Sequence, residues 1–255
     1  SSTGFRVQVN RLVNLGSSAG IFKVVVSLNP PGTFYGVPKL TDEVAFTLSH
    51  DWDAPQAHPK FLDEPHVFKD AAFDPHLVVI VDVRVVVPAK KRGSGAEMSV
   101  MQHSWGVLPL FKDAPGAFVQ NGLHQVPLFD GAPDMELLAE LHSSDQLPVP
   151  FLHGELGARR PRLKYHKSRA FAIVQVVDSQ VSDCVDLTWK AENFITDLVP
   201  PKERESKFRL DLAKIEKPTK RVLRAQVPRD MQPVEFEKAV NQRFATATEI
   251  ENYTF

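Results

Sequence analysis

His76-Leu-Val-Val-Ile-Val-Asp-Val-Arg-Val-Val-Val87, closed by Pro88, is the stretch that decides the fold. β-Branched residues are stiff at χ1 and suit a pleated strand better than a helix. Proline has no N–H to give to a ladder, so Pro88 ends the run. Asp82 and Arg84 interrupt it, and it falls well short of the roughly 20 apolar residues that span a bilayer.

The segments around it read the same way. Phe5 to Val13 alternates apolar and polar residues with period two, the pattern of a strand with one buried face. Ile21 to Leu28 is β-branched and stops at Asn29-Pro-Pro-Gly32, a strong turn signal. Val44 to Leu48, Met98 to Phe111, Ala117 to Phe129 and Arg169 to Val177 supply further strands. Gly and Pro mark the gaps at 91–95, 113–116 and 129–133. Many strands with turn-rich connections describe an all-β antiparallel sandwich or barrel. A doubly wound α/β fold would need helices of ten or more residues between strands, and none is expected. One short helix is expected over 134–142, with Asp134 as its N-cap.

After about residue 180 the character changes. Lys202 to Glu216 places Phe208, Leu212 and Ile215 at helical spacing until Pro218 stops it, and Val234 to Phe244 is a second amphipathic piece. Short helices are marginal in water without packing. Residues 1–180 are therefore expected to form the sandwich. Residues 181–255 read as an extension with short helices that lies along the domain or a partner, loosely ordered in the isolated protein.

At 255 residues, 43% hydrophobic and 24% charged, the chain has the composition of a globular protein. A lone cysteine, Cys184, excludes an intramolecular disulfide or a thiolate cluster and fits a reducing compartment. The first residues lack the basic-then-apolar pattern of a secretory signal, so a soluble, cytoplasmic protein without a transmembrane segment is expected. Charge is unevenly placed. Residues 1–158 hold 11 Lys and Arg against 17 Asp and Glu, a net of −6, and residues 159–255 hold 19 against 14, a net of +5.

Candidate chemistry is sparse. Gly16-Ser-Ser-Ala-Gly20 matches the G-x-S-x-G of a nucleophile elbow, but that motif needs a helix after it and a strand follows. It reads as a small-residue loop. His50, Asp51, Asp53, His58, Asp63, Glu64 and His66 are metal-ligand types without the i, i+4 His spacing of a helical zinc site, in a segment broken by Pro55, Pro59 and Pro65. They read as a solvated loop. Asp183 and Asp186 flank Cys184 and would blunt its thiol. No catalytic residue, cofactor or metal is expected.

The sharpest feature is Arg159 to Arg169, with six Lys and Arg in eleven residues and no acid: Arg159, Arg160, Arg162, Lys164, Lys167 and Arg169. Lys202 to Arg229, including Lys220, Arg221 and Arg224, adds ten against four acids. These nine named residues are the expected partner-binding set. An acidic protein surface is the favoured partner. Nucleic acid is not expected, because the net charge is −1 and no recognition motif is present. A membrane surface is the alternative, although only Leu163 and Tyr165 are interleaved with the basic residues.

Ser104-Trp-Gly-Val-Leu-Pro-Leu-Phe111 and Asn121-Gly-Leu-His-Gln-Val-Pro-Leu-Phe129 resemble the paired motifs of a divergent C2 domain of the kind found in ciliary and axonemal proteins. The resemblance spans residues 4–178 and implies an eight-strand antiparallel β-sandwich. It also implies no calcium: Ser17 to Gly20 stands where the family's calcium-binding members carry an Asp, and Val83 to Pro88 replaces their later acidic set. The resemblance implies a non-catalytic structural module of the cytoskeleton, placed at the axoneme of a cilium or flagellum and docking on microtubules through tubulin or another axonemal protein. A calcium-independent lipid-binding module is the alternative, and a β-sandwich hydrolase the second.

Overall fold

The computed structural model describes residues 4–16, 21–30, 44–47, 58–69, 74–88, 98–111, 119–178, 189–211 and 231–250. Among these residues, ten strands form two five-stranded sheets. The first holds β10 (Phe194–Ile195), β7 (Gly122–Pro127), β9 (Phe171–Asp178), β1 (Gly4–Val13) and β4 (His66–Lys69), in that spatial order. The second holds β3 (Val44–Phe46), β2 (Ile21–Asn29), β5 (Val78–Pro88), β6 (Met98–Pro109) and β8 (Phe129–Asp130). All pairings are antiparallel except β10 with β7. The chain is mostly β with a few helices, consistent with the expected antiparallel β-sandwich. The strands differ from the eight expected in number, and β8 and β10 at the sheet edges have two residues each.

The deciding stretch is the central strand of the second sheet. Val79, Val81, Val83 and Val85 point inward and join Phe5, Val7, Phe22, Val24, Val126 and Val174 in the core. Val78, Ile80 and Val86 point outward and are also buried. A strand covered on both faces reads as a continuous apolar run rather than an alternation, which is why 77–87 shows no clean period.

Helices cover the outer face of the second sheet. Near β8 lie α1 (Met135–Ser143) and α2 (Pro148–Gly157), whose Leu137, Leu138, Leu141 and Leu152 pack on Val78, Ile80, Trp105 and Val107. The expected cap is present: Asp134 Oδ1 accepts the Leu137 N–H at 2.9 Å. The ten-residue α2 is an addition to the expected elements. At the other end α4 (Pro233–Ile250) lays Phe236, Val240 and Phe244 on Ile21, Val25 and Val86. Between the two patches a charged stripe is buried, with Arg84 Nη2 2.8 Å from Asp82 Oδ2 and Lys23 opposite Arg84 across the ladder. Burial lowers the Lys23 ammonium to about 8, and Asp63 and Glu237 oppose that shift.

Parts of the C-terminal extension thus lie along the domain, one of the two placements expected for it. Phe194, Val199 and Phe208 cover Val13, Leu123, Phe171 and Ile173 on the outside of the first sheet. Of the helix expected over 202–216, the described residues show one short piece, α3 (Pro201–Ser206), with Phe208 beyond its end. Leu212 and Ile215 lie outside the described residues.

The two segments that carried the resemblance meet. A Cβ on Gly106 would stand 2.9 Å from Val126 Cγ1 and 3.0 Å from the Pro127 carbonyl oxygen, so a larger residue would force a shift where β6 crosses β7. Trp105 pairs with Phe129 in the ladder, and their rings meet edge-on at 5.7 Å.

Candidate docking surface

The basic stretch 159–169 runs from the end of α2 to the start of β9. Its backbone is tied down: the Asp130 N–H donates to the Lys164 carbonyl at 2.9 Å, and the His166 N–H donates to the Leu128 carbonyl at 2.7 Å. Leu163 and His166 are buried, and the Tyr165 hydroxyl donates to the Leu198 carbonyl at 2.7 Å. That burial raises the Tyr165 phenol to about 12. Ser168 Oγ donates to the Asn14 carbonyl, and His166 Nδ1 is 2.7 Å from the same hydroxyl.

Within this frame the basic residues divide in two. Arg162 turns back on α1: Nη1 is 2.8 Å from both Glu140 oxygens, and Nη2 is 3.1 Å from Asp134 Oδ1. Partial burial works to raise the Asp134 carboxyl, but the Leu137 N–H and the Arg162 guanidinium outweigh it and leave the group below its ordinary value. Arg169, at φ 55°, holds its guanidinium 5.3 Å from the Tyr165 ring and 5.9 Å from that of Phe208. Both are cation–π distances. Arg159, Arg160, Lys164 and Lys167 are exposed and form no ion pair with the described residues. Of the expected partner-binding residues these four stand free on one loop, and Arg162 and Arg169 are its anchors. Lys220, Arg221 and Arg224 lie outside the described residues.

Beside the loop, the His103 and His166 rings stack at 4.9 Å, a pair that sequence reading missed. His103 is the extra residue of a bulge in β6, since Ser104 pairs with Val83 and Gln102 with Arg84. Burial first, and the neighbouring His166 second, lower His103 to about 4. Burial also lowers His166, with Asp130 opposing. The Ser168–His166 contact looks like a nucleophile and its base, but the serine proton is directed at a main-chain carbonyl, away from the imidazole. That arrangement holds a turn together and does not activate a hydroxyl.

The other sequence candidates take structural places. His58 Nδ1 accepts the Asn14 N–H at 3.2 Å, the Asp63 carbonyl accepts from Gln8 at 2.7 Å, and His66 meets Phe68 edge-on at 4.7 Å. His50, Asp51, Asp53, Ser17 to Gly20 and Cys184 lie outside the described residues. As the side chains stand, no three His, Cys, Asp or Glu among the described residues are at metal-ligand spacing. No helix among them is long and apolar enough to cross a membrane.

A cleft of about 400 Å³ lies between Pro109 and Phe111 on one side and Leu147 to Pro150 and His153 on the other. Its polar groups are already engaged: Gln120 donates to Asp197 Oδ2 at 3.0 Å, and His153 Nε2 donates to the Asp197 carbonyl at 2.9 Å. In comparison with known proteins, no family model matches the chain and no curated protein matches it.

Proposed function

We propose that the protein is a non-catalytic docking module that engages an acidic protein surface through Arg159, Arg160, Lys164 and Lys167. The observation that carries this reading is the division of labour in the basic loop. Leu163, Tyr165, His166 and Arg169 anchor it from within, Arg162 ties it at the surface to Glu140 and Asp134, and four cations project outward without partners among the described residues. A loop held in one conformation loses little freedom on binding, so more of its charge attraction survives as affinity.

The partner class of tubulin or another axonemal protein, and the setting of a cytoskeletal lattice in a cilium or flagellum, rest on the resemblance of 104–111 and 121–129 to divergent C2 domains. Likeness of fold by itself does not assign function. Co-sedimentation of the purified chain with microtubules, set beside anionic liposomes, tests the reading. Binding to microtubules is expected to fall as salt rises, because the Debye length shrinks to about 8 Å near physiological ionic strength. Replacing the four free cations by Ala should weaken binding and flatten its salt dependence. Retention on liposomes alone would transfer the loop to the membrane reading, and undiminished binding by the variant would remove the loop from the interface.

A further inference from the structure

We propose that the outer edge of β6 over residues 98–103 takes up an extended acidic segment of the partner protein as an added strand, laid in line with β8 and beside the basic loop. This rests on the docking reading above and names how the partner is held.

The edge is open. On one side β6 pairs with β5 from end to end, with Pro88 opposite Met98 and Val78 opposite Pro109. On the other side β8 covers Ser104 and Trp105. The turn at Gly131, with φ 90°, then takes the chain off the edge toward α1. Over 98–103 no strand among the described residues pairs with that side. A row of unpaired N–H and C=O groups is a template for another strand, and proteins usually guard it with charged side chains or proline. Met98-Ser-Val-Met-Gln-His103 carries neither an acid, a Lys or Arg, nor a proline. The bulge at His103 interrupts the strand only at the end next to β8.

The side chains offer a guest strand an apolar contact and a cationic one. Met101 pairs with Val85, which points into the core, yet Met101 is 50% exposed. A guest residue beside it would cover apolar surface that the domain leaves in water. Charge stands at the β8 end. Residues 164–165 flank β8 on the side away from β6, since Phe129 bridges to Tyr165 and the Asp130 N–H donates to the Lys164 carbonyl. A guest in line with β8 therefore has Lys164 on its flank. Lys167 is close too: burial, His166 and Asp130 act most on the charge state of His103, and Lys167 acts on it as well. Asp130 is exposed at the same end, so the guest's carboxylates are drawn to the lysine side. A second copy of this chain would bring an edge without acids to those lysines, and complementarity favours an acidic segment instead.

The test uses the full chain and a short labelled peptide alternating Glu and Val, followed by fluorescence polarisation and hydrogen exchange. The same peptide N-methylated at every residue keeps its charge and loses every backbone donor, and main-chain bonds supply the affinity in strand addition. Wild type should bind the parent peptide, gain exchange protection within 98–103, and bind the methylated peptide at least tenfold more weakly. Lys164→Ala combined with Lys167→Ala should weaken binding of the parent, and a Lys-Val peptide should not bind. Equal binding of parent and methylated peptides, with 98–103 unprotected, overturns the added strand and leaves charge docking by the loop intact. Failure to bind the peptide by a chain that still sediments with microtubules overturns it in the same way, whereas failure with both removes the docking reading too. A dimer of the free chain, seen by light scattering and split by the peptide, gives the edge to a second copy and also overturns it.

Discussion

Gly106 of β6 and Val126 of β7 approach so closely that a Cβ on the glycine would stand 2.9 Å from the valine Cγ1. The Pro127 carbonyl oxygen at 3.0 Å closes the other side, and backbone yields less than a side-chain tip. Gly106→Ala should therefore cost about 1–3 kcal/mol, as overpacking does. Urea unfolding measures it, and an unchanged midpoint would show that the crossing has slack. The double variant Gly106→Ala, Val126→Ala should recover part of the loss.

Asp134 has two tasks that substitution can separate. As N-cap it accepts the Leu137 N–H, and as an anion it pairs with Arg162. Asp134→Asn keeps the cap and loses the charge. Asp134→Ala loses both and should cost about 1 kcal/mol through the cap. The Asn variant should fall between wild type and Ala, closer to wild type at high salt, where exposed ion pairs are screened. Melting curves at two salt concentrations decide it.

The stacked histidines make the fold sensitive to acid. Burial and mutual proximity lower His103 from the ordinary 6.5 to about 4, and His166 moves in the same direction. Between those values the unfolded chain binds protons that the folded chain refuses, so stability falls as pH falls. The contribution of the neutral ring is complete above about pH 6.5 and is lost progressively toward pH 4. His103→Gln, which cannot titrate, should show a shallower loss across this window in a series of denaturant midpoints. Parallel curves for wild type and variant would remove His103 as the cause.

Phe244 holds α4 on the second sheet. It is fully buried with Phe236 and Val240 against Ile21, Val25 and Val86. Phe244→Ala should cost about 3–5 kcal/mol if α4 stays docked. If the helix detaches instead, the loss stops at the docking energy of α4 and its amides exchange freely. Hydrogen exchange distinguishes the two, and wild-type amides over 236–246 should be protected.

Where local pattern and final environment coincide, the fold was legible. The apolar run at 77–87 needed only a sheet buried on both sides, and Asp134 announced α1 by its capping chemistry. α2 was hidden because Pro148, Pro150, Gly154 and Gly157 read as breakers, although proline is tolerated in a first turn, where its missing N–H has no partner to lose. The sequence leaves open which surface the extension lies along, for a different reason. Phe236, Val240 and Phe244 form a stripe at four-residue spacing, but nothing local says that the outer face of β2 and β5 is apolar enough to receive it. The docking loop was visible as charge and opaque as structure. Arg162 meets Asp134 and Glu140 from 28 and 22 residues away, a separation at which no periodicity operates.

Among the described residues, helices or irregular chain lie on part of the outer face of each sheet, so much of the broad surface of the sandwich is occupied by the protein itself. Were the basic loop the docking site proposed above, a partner would meet the rim, with a modest footprint and a handful of charges. Contacts of that size are individually weak and quickly reversed. They become durable through valency, when many copies sit side by side on a repeating support and each bound neighbour raises the local concentration of the next. A module of this build would suit decoration of a periodic surface better than a solitary tight complex, and its occupancy would rise steeply with the number of sites in a row.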